Sequence, residues 1–98
     1  MGIEYRISCA PEGLPKVREL LLRLGGQPSW QFPAQIEFRF RQCRPDEMPD
    51  ATVVVETEDI YFLDHGGGHE QAAVLFRRIV DEALTFSDSS DSVMITSL

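Results

Sequence analysis

Residues 52–85 have the sequence TVVVETEDIYFLDHGGGHEQAAVLFRRIVDEALT. This segment joins two strand-forming runs to a helical pattern through three glycines. The runs at 52–56 and 60–64 are rich in β-branched and aromatic residues, which predicts two strands. Residues 57–59 between them predict a short hairpin turn, with one long bent strand as the alternative. A hairpin would place the two runs side by side in one sheet.

A helix is predicted for the end of this segment, from about His69 to Thr85. Apolar residues recur there every three or four positions, as on one face of an amphipathic helix. This apolar stripe consists of Ala72, Leu75, Phe76, Ile79, Val80 and Ala83. A helix with a single stripe has to cover an apolar surface, and the predicted strands supply one.

Four further elements are predicted elsewhere in the chain. Residues 3–9 alternate between apolar and polar with a period of two, which predicts a strand with one buried face. Residues 14–24 carry leucines at helical spacing, and the glycines at 25–26 end this helix. The two other predicted strands begin near Ala34 or Gln35 and at Val93, and they end at Arg41 and Leu98.

Two aromatic residues precede the strand that begins near Ala34. Trp30 and Phe32 share the two-residue phase of Ile36 and Phe38, which predicts that they lie in the core. Pro33 interrupts the pattern, because proline cannot donate to a strand ladder. The rim of a partner interface is the alternative for the two aromatic side chains.

These elements predict an α+β fold in one domain that comprises residues 1–98. The expected architecture is a two-layer sandwich, with both helices on one face of a mainly antiparallel sheet of four or five strands. The element order is β-α-β-β-(β)-α-β. Without the bracketed strand, this order resembles the ferredoxin-like pattern in topology, and topology does not assign a function.

Composition points to a soluble globular protein. The chain has 98 residues, of which 43% are hydrophobic and 26% are charged. No apolar run is long enough to span a membrane, and the first residues do not have the composition of a signal peptide, so we expect a cytoplasmic protein. The two cysteines, Cys9 and Cys43, form no CxxC pair and are expected to be reduced thiols.

The formal net charge of −7 is the strongest constraint on the partner. Phosphate backbones require clustered lysine and arginine, so nucleic-acid binding is not expected. A basic protein partner fits the charge, because complementary charges steer association. The candidate residues for binding it are Asp46, Glu47, Asp50, Glu58 and Asp59. Taken alone, however, the charge favours an acidic surface that serves solubility.

The glycine turn is the candidate site for a small ligand. Backbone N–H groups before a helix can converge on an anion, and two histidines with neighbouring carboxylates are metal-ligand types. The candidates are Asp64, His65, Gly66, Gly67, Gly68, His69 and Glu70. No Walker, GxGxxG or HExxH pattern accompanies them, so we assign no catalytic residue, no metal and no cofactor. The alternative is a turn in which Glu70 complements the helix dipole.

Three functional classes follow. The favoured class is a protein-interaction domain, such as an inhibitor or immunity-type protein of a basic enzyme, because no catalytic signature is present. The second is a small-ligand, anion or metal-binding protein, or an enzyme, with its site at residues 64–70. The third is a structural homodimer that pairs sheet faces or edge strands.

Overall fold

The computed structural model describes residues 3–40, 48–66, 69–86 and 93–98. They form six strands, two α-helices and a single 3₁₀ turn at Pro11–Gly13. The strands are β1 (Ile3–Ser8), β2 (Gln27–Pro28), β3 (Gln35–Phe38), β4 (Ala51–Val55), β5 (Asp59–Asp64) and β6 (Met94–Ser97), and the helices are α1 (Leu14–Arg23) and α2 (His69–Thr85). The predicted α+β class is confirmed.

The strands form one antiparallel sheet in the order β2-β3-β4-β5-β1-β6. β4 and β5 are separate strands joined by a short turn, so the hairpin is confirmed and the single bent strand is wrong. The sheet has more strands than the expected four or five, because Gln27–Pro28 adds a two-residue edge strand. The ferredoxin-like pattern has a four-stranded sheet. This sheet has two more strands, because it continues beyond β4 into β3 and β2.

The register of the strands places the apolar residues on one face. Ile7 lies opposite Ile60, and Val53 lies between Ile36 and Phe62. These side chains pack in one core with the apolar stripes of both helices. The helices therefore cover the same face of the sheet, because neither has a second apolar surface to pack against. Glu4, Arg6 and Glu37 lie on the opposite face, which is called the open face below.

Helix α1 ends in two backbone hydrogen bonds that are typical of a glycine cap. The Gly26 N–H donates to the Leu21 carbonyl and the Gly25 N–H to the Leu22 carbonyl. Gly25 adopts φ +97°, a left-handed conformation that glycine accepts without steric strain. Gly26 packs so closely that a Cβ atom there would contact Ile36 Cγ2 and lie 2.7 Å from Phe38 Cζ.

The prediction that Trp30 and Phe32 belong to the core is wrong. Trp30 is 88% exposed and Phe32 is 63% exposed. The chain turns between β2 and β3, where the Gln35 N–H donates to the Phe32 carbonyl. The alternation of buried and exposed side chains in β3 therefore does not extend into residues 29–34. The burial of Trp30 and Phe32 cannot be inferred from that alternation.

Candidate functional site

The turn between β4 and β5 carries three carboxylates, Glu56, Glu58 and Asp59, which we call the acidic turn. The Glu56 N–H donates to the Asp59 carbonyl at 2.9 Å and closes the turn. Glu56 and Glu58 are exposed, whereas the Asp59 carboxylate is 19% exposed and lies 3.4 Å from Arg6 Nε. The hairpin thus holds three negative charges within four residues, with Arg6 as a neighbouring cation.

The neighbouring carboxylate of Asp59 raises the pKa of Glu56. The hydrogen bond that a protonated Glu56 can donate to Asp59 is the largest cause that raises this pKa. Burial and the charge of Asp59 act in the same direction, and Arg6 opposes them. The buried Oδ1 atom of Asp59 has no hydrogen-bond partner among the described residues. An ionised Glu56 has no proton to donate, so it can form a hydrogen bond to the Asp59 carboxylate only when it is protonated.

Replacing Glu56 with glutamine is expected to stabilise the protein at neutral pH by about 0.5–1 kcal/mol. The amide can donate to Asp59 without binding a proton, and the value lies low in the usual range because residue 56 is exposed. A raised pKa in the folded state means that the wild-type contribution is present at low pH and is lost as the pH rises through that pKa. The advantage of the variant therefore disappears in acid.

The measurement is urea unfolding of both proteins at neutral pH and near pH 4. Glu58→Gln is the matched control, since it removes one charge from the same turn without replacing the group that bonds to Asp59. Equal effects of the two substitutions at both pH values would contradict the Glu56–Asp59 contact.

An exposed aromatic loop lies at the same end of the sheet as the acidic turn. This loop, residues 29–34, carries Trp30 and Phe32, and the Val55 N–H donates to its Ala34 carbonyl at 3.1 Å. Arg18 Nη1 of α1 donates to the Pro33 carbonyl at 2.9 Å, which ties the loop to the helical layer. We call the aromatic loop and the acidic turn together the acidic-aromatic end.

Asp50 does not fit the role of a surface residue that binds a partner. Its side chain is only 1% exposed, and Oδ2 accepts a hydrogen bond from the Phe40 N–H at 2.8 Å. Its backbone N–H donates to the Phe38 carbonyl, and its carbonyl accepts from the His65 N–H. Asp50 therefore connects the ends of β3, β4 and β5, and its charge is unavailable to another protein. Asp46 and Glu47 lie outside the described residues.

The first residues of the glycine turn form a structural motif. Asp64 ends β5 with 6% exposure, and its Oδ1 accepts a hydrogen bond from the Gly66 N–H at 2.8 Å. His65 Nε2 lies 2.8 Å from Thr52 Oγ1 on β4. Gly66 adopts φ +94°, so the left-handed turn favours glycine here. Asp64 and His65 thus have partners within the fold.

The remaining candidates of the glycine turn are only partly placed. Glu70 is exposed in the first turn of α2, where it complements the helix dipole. Gly67, Gly68 and the side chain of His69 lie outside the described residues. Within the part of the chain that is described, no group of three metal-ligating side chains comes together.

Comparisons with protein-family models, with curated proteins and with solved structures give no match for this chain. The candidate site is therefore defined by its own geometry.

Three side-chain interactions of the described residues were not predicted from the sequence. Glu56 was missing from the candidate list, although it is adjacent to the hairpin turn that contains Asp59. Thr52 was not connected with His65, although the hairpin register brings residue 52 opposite residue 63. The Tyr61 hydroxyl donates to Glu4 Oε1 at 2.5 Å on the open face, which raises the pKa of Tyr61. A predicted register for β4 and β5 would have identified the Thr52–His65 pair.

Proposed function

We propose that this chain is a protein-interaction domain that binds a basic protein through its acidic-aromatic end. The observation that carries the proposal is the 88% exposure of Trp30 in a loop hydrogen-bonded to the strand that leads into the acidic turn. Large aromatic side chains are among the residues that contribute most to protein interfaces. An exposed tryptophan at the same end of the sheet as a carboxylate cluster favours a partner that covers both.

Arginine is the partner residue that matches this chemistry best. Its guanidinium group stacks on indole rings and also pairs with carboxylates. Trp30 and Phe32 supply the rings, and Glu56 and Glu58 supply exposed carboxylates of the kind that steer association. The net charge of −7 adds a long-range attraction for a basic protein.

A small inhibitor or immunity-type protein of a basic enzyme is the kind of domain that this surface suits. The acidic residues Asp46 and Glu47, which lie outside the described residues, remain predicted contributors. A cytoplasmic location and a ferredoxin-like relationship of strands β6, β1, β5 and β4 belong to the same proposal. In the described residues, neither helix has the length and apolar character needed to cross a bilayer.

The test is a titration with hexa-arginine, followed by tryptophan emission. Trp30 is the one tryptophan of the chain, so the emission reports on the aromatic loop alone. We expect a shift to shorter wavelength that saturates and that weakens as salt is added. Glu58→Lys should raise the Kd by about three- to tenfold, because it replaces an attraction with a repulsion at an exposed site.

Asp81→Lys is the control for this titration, because Asp81 is exposed on α2 and the substitution changes the net charge equally. Its effect on the Kd should stay within about twofold. If both variants weaken binding equally, the attraction comes from the total charge and the acidic-aromatic end is not the site. An emission maximum that never moves would also contradict the proposal.

Small-ligand binding at residues 64–70 is the alternative function. One observation favours it, because Asp64 borders a cavity of about 260 Å³ whose walls are otherwise apolar. A molecule with an apolar body fits these walls better than a phosphate, which the carboxylate would repel. A rise in Tm with zinc, manganese or phosphate would support the alternative, and an unchanged Tm would remove the anion and metal forms of it.

A further inference from the structure

The two edges of the sheet differ in how they are protected against pairing with another strand. β2 has two residues, and one of them is Pro28, which has no N–H to donate. β6 is longer, and its sequence Met94-Ile95-Thr96-Ser97 contains no proline and no charge. Short strands, proline and charges are the usual devices that block an edge. Strand β2 is therefore blocked, whereas the described residues of β6 include neither a proline nor a charged side chain.

The register of β6 on β1 identifies the backbone groups that point outward. The Leu98 N–H donates to the Glu4 carbonyl, and Arg6 lies opposite Thr96 two positions further along. In an antiparallel pair, hydrogen-bonded positions alternate with non-hydrogen-bonded ones. Thr96 therefore bonds to β1, whereas the N–H and C=O groups of Ile95 and Ser97 face away from the sheet. Among the described residues, no strand lies beyond β6 to form hydrogen bonds with these groups.

The side chains along β6 are exposed and uncharged. Met94 is 63% exposed, Ile95 is 45% exposed and Leu98 is 56% exposed. Met94 and Leu98 share the open face with Thr96, and Ile95 lies on the helix-covered side. In a chain of net charge −7, two copies repel each other over most of their surface. The side chains of residues 93–98 carry no charge, so two copies can meet along β6 without opposing side-chain carboxylates.

We propose that β6 pairs with β6 of a second copy of this chain, antiparallel and centred on Thr96. In this register Ile95 forms a hydrogen-bonded pair with the partner's Ser97, and Met94 lies opposite the partner's Leu98. The two threonines at the centre face each other in a non-hydrogen-bonded pair, a contact that stabilises sheets. The outward-facing N–H and C=O groups of Ile95 and Ser97 then form hydrogen bonds across the interface. The sheets of the two copies become one continuous sheet. The inference does not depend on the proposed function.

The first measurement is the mass of the full chain by sedimentation equilibrium, from micromolar to millimolar concentration. We expect a concentration-dependent rise to twice the 11.1 kDa of one chain. Thr96→Glu should raise the dissociation constant at least tenfold, since two like charges would sit on directly opposite residues whose Cβ atoms are roughly 5 Å apart across the two-fold axis. The single chain tolerates this substitution, because the new carboxylate lies opposite Arg6. Val74→Glu on exposed α2 is the control of equal charge and should still dimerise.

Cysteine cross-linking tests the register. In a Cys43→Ser background, Thr96→Cys should form a disulfide-linked dimer on oxidation, because non-hydrogen-bonded pairs bring the two side chains close. Met94→Cys is the control. In the proposed register, position 94 of one copy and position 94 of the other are offset by four residues along the strands, which is roughly 13 Å.

The proposal is overturned if the wild-type chain stays monomeric at every concentration or if Thr96→Glu dimerises as well as the wild type. It is also overturned if Met94→Cys cross-links as fast as Thr96→Cys, because the pairing would then not be centred on Thr96. A dimer lost in Thr96→Glu, kept in Val74→Glu and trapped by Thr96→Cys supports it.

Discussion

Asp50→Ala is expected to lower the free energy of unfolding by about 1.5–3 kcal/mol, the range of hydrogen bonds to charged groups. The carboxylate is 1% exposed and accepts a hydrogen bond from the Phe40 N–H at 2.8 Å. Alanine leaves this N–H, two residues beyond the end of β3, without its acceptor. Small domains are stable by only about 5–15 kcal/mol, so the loss would be visible in urea unfolding.

Two variants separate the hydrogen bond from the charge of Asp50. Asparagine keeps an oxygen that can accept from Phe40, so Asp50→Asn should lose less stability than Asp50→Ala. Glu58→Ala removes an exposed carboxylate and should stay within about 0.5 kcal/mol of the wild type. If Asp50→Ala unfolds like the wild type but binds hexa-arginine more weakly, Asp50 has the surface role that the sequence predicted.

Gly26→Ala is expected to destabilise the protein by about 1–3 kcal/mol, the usual effect of an added methyl group in a tightly packed region. The new Cβ would contact Ile36 Cγ2, lie 2.7 Å from Phe38 Cζ and lie 2.9 Å from the Leu21 carbonyl oxygen. Side chains can move aside, but the Leu21 carbonyl also accepts the Gly26 N–H in the cap of α1. The packing of α1 on β3 would therefore have to shift.

Gly25→Ala is the matched comparison, because a Cβ at Gly25 meets no atom within 4 Å. Gly25→Ala should lower the free energy of unfolding by about 1 kcal/mol. This loss should come only from the strain of placing alanine in the left-handed backbone conformation, at φ +97°. Thermal unfolding of both variants, together with Ile36→Ala and its double mutant with Gly26→Ala, measures the contribution of packing. Because Ile36→Ala removes the nearest atom, the double mutant should lose less stability than the sum of the single variants. Strictly additive losses would show that the contact is unimportant.

The elements themselves could be predicted from short-range patterns. The predicted helix from His69 to Thr85 has the observed bounds of α2, and the predicted hairpin is present as β4 and β5. Both patterns involve residues within one element, where the helical or two-residue period directly indicates which side chains share a face. The glycine cap of α1 is similarly local, because its hydrogen bonds join residues only a few positions apart.

The candidate sites were harder to predict because burial depends on distant parts of the chain. The acidic charge of Asp50 makes it a predicted partner-binding residue, whereas the hydrogen bond that its side chain accepts comes from Phe40, ten residues away. Trp30 was assigned to the core by extending the phase of β3 across Pro33. In both cases the error arose where a strand ends, since periodicity holds only while the backbone stays extended.

The amino-acid sequence by itself therefore determined the α+β class, the helix bounds, the hairpin and the acidic charge, which are properties of neighbouring residues or of composition. The tertiary structure alone decided the strand order, the burial of Asp50, the exposure of Trp30 and the position of β6 at an unblocked edge. These features depend on which strands pair and in what register. That choice is made by the joint burial of side chains far apart in the chain, such as Ile7 with Ile60, and no local pattern encodes it.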